Sequence, residues 1–341
     1  MKNGNFATYK PAVDKSAIQK AGSLRQIAGT RHSILTGGGA GGVRAIDVNT
    51  GSGLTYTILP DRGMDISFAS FKGVNFAYVS PQEELCAAYY NYDQMEWLRT
   101  FFAGLLTTCG PVNFGPPSID GGVSYGLHGR FNVTPATNVC DATNIENGVI
   151  EVSGTIANYV LFGEKLVINR TISSAVGENS VKIKDIVTNH GGEETPNMML
   201  YHINFGYPLL DANAKTSVNS TTCSAYDDYS QQFIGEVTSF APPGAENNEK
   251  NYLHVMDRSK PGLASIVNEK LGFGVEIRFD AAALPYLTQW KCERIRDYVQ
   301  ALEPGNAPCE KIADNRSAGK LPVLKPGCSI ENNVEIAVIT L

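Results

Sequence analysis

Short runs in which apolar and polar residues alternate constrain this chain more than any other feature. Residues 148–156 (GVIEVSGTI), 166–173 (LVINRTIS) and 181–187 (VKIKDIV) each send every second side chain to one face. A period of two belongs to a strand with one side inward and one toward water. Gly163 and the Gly177-Glu178-Asn179 triplet supply turn chemistry between these runs, which predicts a meander of three or four antiparallel strands. Residues 264–267 and 274–279 read as two more strands, with Asn268 and Gly272 at the turn between them. Residues 334–341 (VEIAVITL) read as a last strand that pins the C-terminus. Helical signal is sparse: one short helix is expected within 12–28. Another is expected within 80–104, where Pro81, Glu83 and Glu84 suit a first turn. With 34 Gly and 17 Pro spread along 341 residues, the expected fold is all-β, a large antiparallel β-sandwich with a few short helices. The whole of 1–341 is expected to form one domain, with 1–40 as an N-terminal extension or edge segment.

Composition narrows the function. Hydrophobic residues make up 43% of the chain and charged ones 18%, enough to bury a large core and too little charge for disorder. The net charge of −6 and the absence of a basic block argue against nucleic acid, which demands a cationic face. The N-terminal stretch lacks the apolar core of a secretory signal, and no run approaches the roughly 20 apolar residues of a membrane span. The expectation is a cytoplasmic protein without a membrane partner. Seven Cys at wide spacings, with no CxxC, read as reduced, mostly buried small hydrophobes rather than a disulfide or zinc framework. No HExxH or P-loop pattern is present, and the Gly37–Gly42 run GGGAGG, which has no clear βαβ context, reads as a turn.

Four segments carry polar chemistry inside apolar context. In ILPDRGMDI (58–66), Asp61 and Arg62 follow a strand. Arg62 offers a planar fork suited to hydroxyls, although a tight turn with a surface Asp–Arg pair explains the same residues. In YGLHGRF (125–131), His128 lies between Gly126 and Gly129, which let the backbone approach a ligand; a loop His without a role is the plainer alternative. In MMLYHINFGYPLL (198–210), His202 and Asn204 share one face of an apolar strand, where they either face a cavity or are satisfied in the core. In LPYLTQWKCERIRDYVQALEP (284–304), Gln289, Trp290 and Lys291 precede Glu303. A buried carboxylate at position 303 suits a base, and a turn carboxylate is the alternative. Together these residues are the inventory of a sugar site: an aromatic platform, polar groups for hydroxyls, and an acid with a base.

The order and spacing of these segments resemble the aldose 1-epimerase (galactose mutarotase-like) superfamily, in particular a bacterial branch with a PDRGMDI-like motif. The matching residues are Pro60 to Ile66, Leu127-His128-Gly129-Arg130, Tyr201-His202-Ile203-Asn204-Phe205-Gly206 and Ala301-Leu302-Glu303-Pro304. The likeness runs from about Arg44 to the C-terminus. It implies a β-sandwich with a sugar in an open cleft on one sheet, and interconversion of sugar anomers without cofactor or metal. By the resemblance, Glu303 is the base at the C1 hydroxyl, His202 the acid at the ring oxygen, His128 a second contact near that oxygen, and Arg62 a hydroxyl clamp. A carboxylate that keeps His202 charged, and burial that raises Glu303, would suit neutral pH.

The chain also departs from the family. The usual His-Tyr-Phe-Asn-Leu stretch reads His202-Ile203-Asn204-Phe205-Gly206 here, and the family's substrate-binding Asp has no clear match, His254 and Asp257 being the candidates in that region. Asn204, Gln289 and Lys291 are expected as hydroxyl or anion contacts, which opens the substrate to modified, phosphorylated, acidic or keto sugars. A homodimer is a compatible assembly. Another reaction on the same scaffold (lyase, hydrolase or epimerase) and a non-catalytic carbohydrate-binding role remain open at this stage.

Overall fold

The computed structural model describes residues 15–341; residues 1–14, part of the expected N-terminal extension and of the helix expected within 12–28, lie outside the described residues. Two antiparallel sheets dominate the rest. The larger, eleven-stranded sheet passes in spatial order through Gly29–Ile34, Arg44–Asn49, Leu54–Leu59, Asp65–Phe71, Leu106–Cys109, Leu200–Phe205, Tyr298–Gly305, Tyr286–Glu293, Lys250–Val255 and Thr222–Ala225, with Val74–Asn75 alongside Asp65–Phe71. The eight-stranded sheet passes through Thr137–Asp141, Val149–Tyr159, Lys165–Ala175, Ser180–Asn189, Ser329–Thr340, Phe273–Phe279, Gly262–Asn268 and Ala214–Val218. The expected meander is the first half of this second sheet, and the C-terminal strand lies at its centre, against Ser180–Asn189.

The alternation seen in the sequence builds the core. Ile150, Val152, Ile168, Ile183, Ile277 and Ile336 of the smaller sheet meet Ile46, Ile58, Leu106, Ile203 and Leu302 of the larger one in a single cluster between the layers. A second cluster lies on the opposite face of the larger sheet. It joins Met198, Leu200 and Cys109 to Trp97, Phe101, Leu127 and Ile312 from the segments that cover that face. The two clusters divide one strand between them. Along Leu200–Phe205, Tyr201, Ile203 and Phe205 point into the sandwich, which sends His202 and Asn204 outward beneath the covering segments.

One polar network crosses the core. Arg170 of the smaller sheet donates Nε and Nη2 to the two oxygens of Asp185 at 2.8 and 2.7 Å, Nη1 to Asp65 at 2.8 Å and to the Gly63 carbonyl at 3.0 Å, and Nη2 to Thr108 Oγ1 at 2.9 Å. Tyr201 donates its hydroxyl to Asp185 at 2.7 Å, and Thr108 donates both N–H and hydroxyl to Asp65. Every guanidinium donor is thus spent at full burial, the condition under which an interior charge is tolerated. Gly63 shapes the turn that feeds this network: its φ is +64°, and a Cβ there would sit 2.8 Å from the Phe131 carbonyl oxygen.

Three expectations change. Residues 80–104 form no helix beyond the short turns Ala87–Tyr89 and Glu96–Arg99, because Glu83 and Gln94 adopt left-handed backbone (φ 52° and 44°) that a right-handed helix excludes. Within the described part of 12–28 the helix is confined to Lys15–Lys20, followed by a one-turn 3-10 segment, Leu24–Gln26. Among the cysteines only Cys109 and Cys292 are buried, whereas Cys140 and Cys328 are exposed. Among the described residues, no helix is long and apolar enough to cross a membrane.

The contrast between buried and surface ion pairs is open to test. Arg170→Ala strands two buried carboxylates and is expected to lower the unfolding free energy by about 3–5 kcal/mol. Asp61→Ala removes a partly exposed pair with the Arg44 side chain and an acceptor for the Arg44 main-chain N–H, and is expected to cost less, about 1–2 kcal/mol. Urea unfolding of the two variants against the parent chain measures both.

Candidate active site

A cleft of about 440 Å³ opens on the outer face of the larger sheet. Its floor comes from three neighbouring strands. The register that pairs Leu200 with Gly305 and Ile203 with Leu302 brings His202 opposite Glu303, and Thr288 pairs with Glu303 from the other side. Trp290, two residues beyond Thr288, therefore shares their face. The walls come from residues 95–101 with Trp97 and Phe101, the His128 loop, Tyr226, Asp227 and Glu249, Asn251 of the Lys250–Val255 strand, Cys309, Glu310 and Lys311, and Asp314 of the short helix Ile312–Ser317.

His202 Nε2 lies 3.3 Å from Glu303 Oε1, and the two residues are only 4% and 1% exposed. Burial pushes the Glu303 carboxyl well above the usual carboxylate range, and the nearby Glu249 charge adds to the rise. Burial also pushes the His202 imidazole well below its usual value, with His128 adding to the fall and the Asn204 side chain opposing it. The favoured resting pair is therefore a protonated carboxyl beside a neutral imidazole. This corrects the expectation that a carboxylate keeps His202 charged: at this depth desolvation outweighs attraction. Neither His202 Nδ1 nor Glu303 Oε1 has a hydrogen bond of good geometry, so both keep polar capacity for a ligand.

Aromatic rings frame the pair. Phe101 and Trp290 meet the His202 ring edge-on, with centroids 5.2 and 5.5 Å away, and His128 stands 5.9 Å from it. Trp97 stacks on Phe101 at 4.4 Å and lies against His128 at 4.7 Å. An apolar wall beside an acid–base pair suits a molecule with both C–H faces and hydroxyls.

His128 holds left-handed backbone at φ 58°, a conformation uncommon outside glycine. Gly115 N–H donates to its Nδ1 at 3.3 Å, which leaves the ring proton on Nε2 and makes that nitrogen a donor. Tight backbone packing alone already requires the flanking glycines. A Cβ on Gly129 would lie 2.5 Å from the Asn113 and Gly110 carbonyl oxygens, and one on Gly126 2.5 Å from the Tyr92 oxygen.

The remaining expected residues are not in the cleft. Arg62 is fully buried beneath the wall and donates to the main-chain oxygens of Asn132 and Thr100, each at 2.7 Å, and to that of Leu85. At this depth, outside the cleft lining, it cannot reach a sugar hydroxyl as a clamp. Asp61 pairs with Arg44 through Oδ1 at 2.6 Å, a surface pair with a different arginine from its sequence neighbour. Asn204 is buried beneath His202 and donates to the Ala103 and His202 carbonyls. Gln289, Lys291 and His254 point to the sandwich side of their strands. Gln289 donates to Val237 O and Gln300, Lys291 donates to Glu236 O and pairs with Glu293, and His254 contacts Ser220 and Gln289. Asp257 is at the surface, where it accepts from Ser259 N–H and pairs with Lys260. Of the sequence candidates, the fold brings together His128, His202, Trp290 and Glu303.

The sequence reading missed Phe101, Tyr226, Asp227, Glu249 and Lys311, which also line the cleft. Glu249 lies between His202 and Glu303 in the chain, the interval in which the sequence offers His254 and Asp257 in place of the family's substrate-binding Asp. Its setting, ENNEK, carries only loop composition and no motif.

The fold is of the galactose mutarotase-like kind. A Klebsiella pneumoniae structure provisionally assigned as an aldose 1-epimerase is 26% identical, covers 91% of this chain and 83% of its own, and has a TM-score of 0.86. A galactose mutarotase-like protein from Clostridium acetobutylicum (16% identity, 93% of this chain and 100% of that one, TM-score 0.66) shares the fold. So does the galactose 1-epimerase of Lactobacillus acidophilus NCFM (12% identity, 92% and 99%, TM-score 0.61). No curated protein matches the sequence. The chain belongs to the family described as a domain of unknown function (DUF4432), whose model matches residues 40–338.

The His128 assignment has a direct check. Burial lowers this imidazole to about 4, so its ring is expected to stay neutral above pH 5. NMR titration of the ring protons, assigned with His128→Gln, is expected to show no transition between pH 5 and 8.

Proposed function

We propose that this protein is a sugar isomerase of the aldose 1-epimerase type, with Glu303 and His202 as its base and acid. The observation that carries this reading is the buried, otherwise unpaired His202–Glu303 couple, 3.3 Å apart on the floor of an aromatic-walled cleft. The name of the Klebsiella relative and the epimerase activity named for the Lactobacillus neighbour support the same class.

In the proposed cycle the pair first moves its one shared proton from Glu303 to His202. The Glu303 carboxylate then takes the proton of the C1 hydroxyl while His202 delivers its proton to the ring oxygen, and the bond from C1 to that oxygen breaks. An open-chain aldehyde results. Rotation about C1–C2 exposes the other face, and the reverse transfers close the ring to the opposite anomer. His128, neutral with its proton on Nε2, donates a hydrogen bond toward the ring oxygen and adds charge stabilisation as that oxygen gains electrons.

The cleft also favours an uncharged sugar over the phosphorylated or acidic ones left open by the sequence. Asp227, Glu249, Glu310 and Asp314 line it against a single Lys311, while Glu303 and the two histidines there rest neutral. An anionic group entering this lining meets repulsion without a guanidinium to bind it.

Glu303→Gln is expected to reduce anomerisation of freshly dissolved neutral aldoses by about 10²–10⁴-fold while sugar binding persists. Polarimetry and calorimetry on the two forms measure this; equal rates in both would sink the assignment. A chemically new product would point to another reaction on the fold, and binding without turnover to a sugar-binding role. Because resting and active forms of the pair hold the same proton, kcat/KM is expected to be bell-shaped in pH. It falls on the acid side only below the ordinary imidazole range, where His202 takes a second proton. It falls on the alkaline side above the ordinary carboxylate range, where Glu303 loses the shared one.

A further inference from the structure

The acid–base pair does not sit alone against its aromatic wall. Trp290 donates its indole N–H to Glu249 Oε2 at 3.0 Å, so the carboxylate at the cleft rim anchors the far end of the ring. The same indole meets the His202 ring at 5.5 Å with an interplanar angle of 68°, and meets Phe101 at 6.4 Å. Glu249 immediately precedes the Lys250–Val255 strand, next to the strand that bears Trp290, and Asn251 pairs with Trp290 across that boundary. Strand pairing thus fixes the carboxylate's base, and the hydrogen bond fixes its tip.

We infer that Glu249 is a positioning residue for the His202–Glu303 pair: it locks Trp290 against His202 and, by its negative charge, holds the shared proton on Glu303. The inference rests on the acid–base reading of the cleft and extends it to a residue outside the reacting pair. A charge-assisted N–H···O⁻ bond is stronger than a neutral one, so it suits a ring that must not swing away when the cleft fills. The charge acts in the same sense as burial, because a second carboxylate nearby disfavours ionisation of Glu303. The other groups facing Glu303 are His202 and Thr288 from the flanking strands and the Cys109 and Cys309 thiols, which burial keeps protonated. Asp227, Glu310, Lys311 and Asp314 complete the charged lining of the cleft. Glu249 is the carboxylate in this set bonded to the indole that touches His202.

Two variants separate the lock from the charge. Glu249→Gln keeps an oxygen to accept from the indole and removes the charge; Glu249→Ala removes both. The His202 ring protons, assigned with His202→Gln, report on the pair by NMR with or without turnover. In Glu249→Gln their shifts at low pH are expected to match the parent protein. The transition in which the pair loses its proton is expected at lower pH by at least about 0.5 unit, the scale of a partly screened neighbouring charge. In Glu249→Ala the same transition is expected, together with displaced ring shifts as the indole loosens. Where a sugar is turned over, kcat is expected to fall roughly tenfold or more below Glu249→Gln, as misplacement at a reacting centre does. An unmoved titration in Glu249→Gln, or ring shifts in Glu249→Ala that match the parent, overturns the inference. Absence of turnover on every sugar counts against the isomerase reading alone, since the two NMR outcomes stand without it.

Discussion

The Arg170 guanidinium is the fixed point of this molecule. It rises from the smaller sheet, spends every donor, and grips two carboxylates, a threonine and a turn carbonyl that belong to different parts of the chain. A buried ion network of this kind adds little net stability over apolar packing of the same shape. Its value is geometric. Apolar surfaces slide over one another at small cost, but a planar fork with five directed donors accepts one arrangement. The network therefore sets the register of one sheet on the other in a way the Ile- and Val-rich core cannot.

That register reaches the cleft in one step. Asp185 accepts from the hydroxyl of Tyr201, the residue before His202, and Asp65 holds Thr108, which pairs with Tyr201 from the next strand. The inward face of the Leu200–Phe205 strand is thus clamped by polar contacts and the outward face carries His202 to its partner. Depth does the rest. The same burial that keeps Arg170 dry depresses His202 and raises Glu303, so a pair that would ionise in water holds one proton between two neutral groups. Floor and framework obey the same physics: polar groups are affordable inside only when geometry answers for each.

The sandwich was legible in the sequence because a half-buried strand writes its inward face as a period of two. GVIEVSGTI, LVINRTIS and VKIKDIV occupy adjacent strands in the order they were read. The cleft was legible only where a side chain's direction follows from a strand. His202 and Glu303 lie on regular strands, and parity alone aims them outward. Parity also explains the failures. Gln289 and Lys291 flank Trp290, so if the indole faces the cleft, neither neighbour does. Asp61 and Arg62 lie in a turn, where no period applies, and their partners, Arg44, Leu85, Thr100 and Asn132, are distant in the chain. Glu249 and Phe101 come from irregular segments, whose course depends on tertiary contacts that local composition does not encode.

Arg62 is bonded entirely to main-chain oxygens of the segments that build the cleft wall, and those oxygens are present whatever side chain each residue carries. The clasp therefore places almost no demand on the sequence of the wall. Met95 and Leu98, which face the cleft from that segment, are free to drift under selection without loosening their own support. A clasp that grips only main-chain oxygens, and a rim whose side chains bear none of its load, are the conditions under which a lineage acquires new specificities by substitution alone, keeping its scaffold and its acid–base floor while the molecules it accepts diverge.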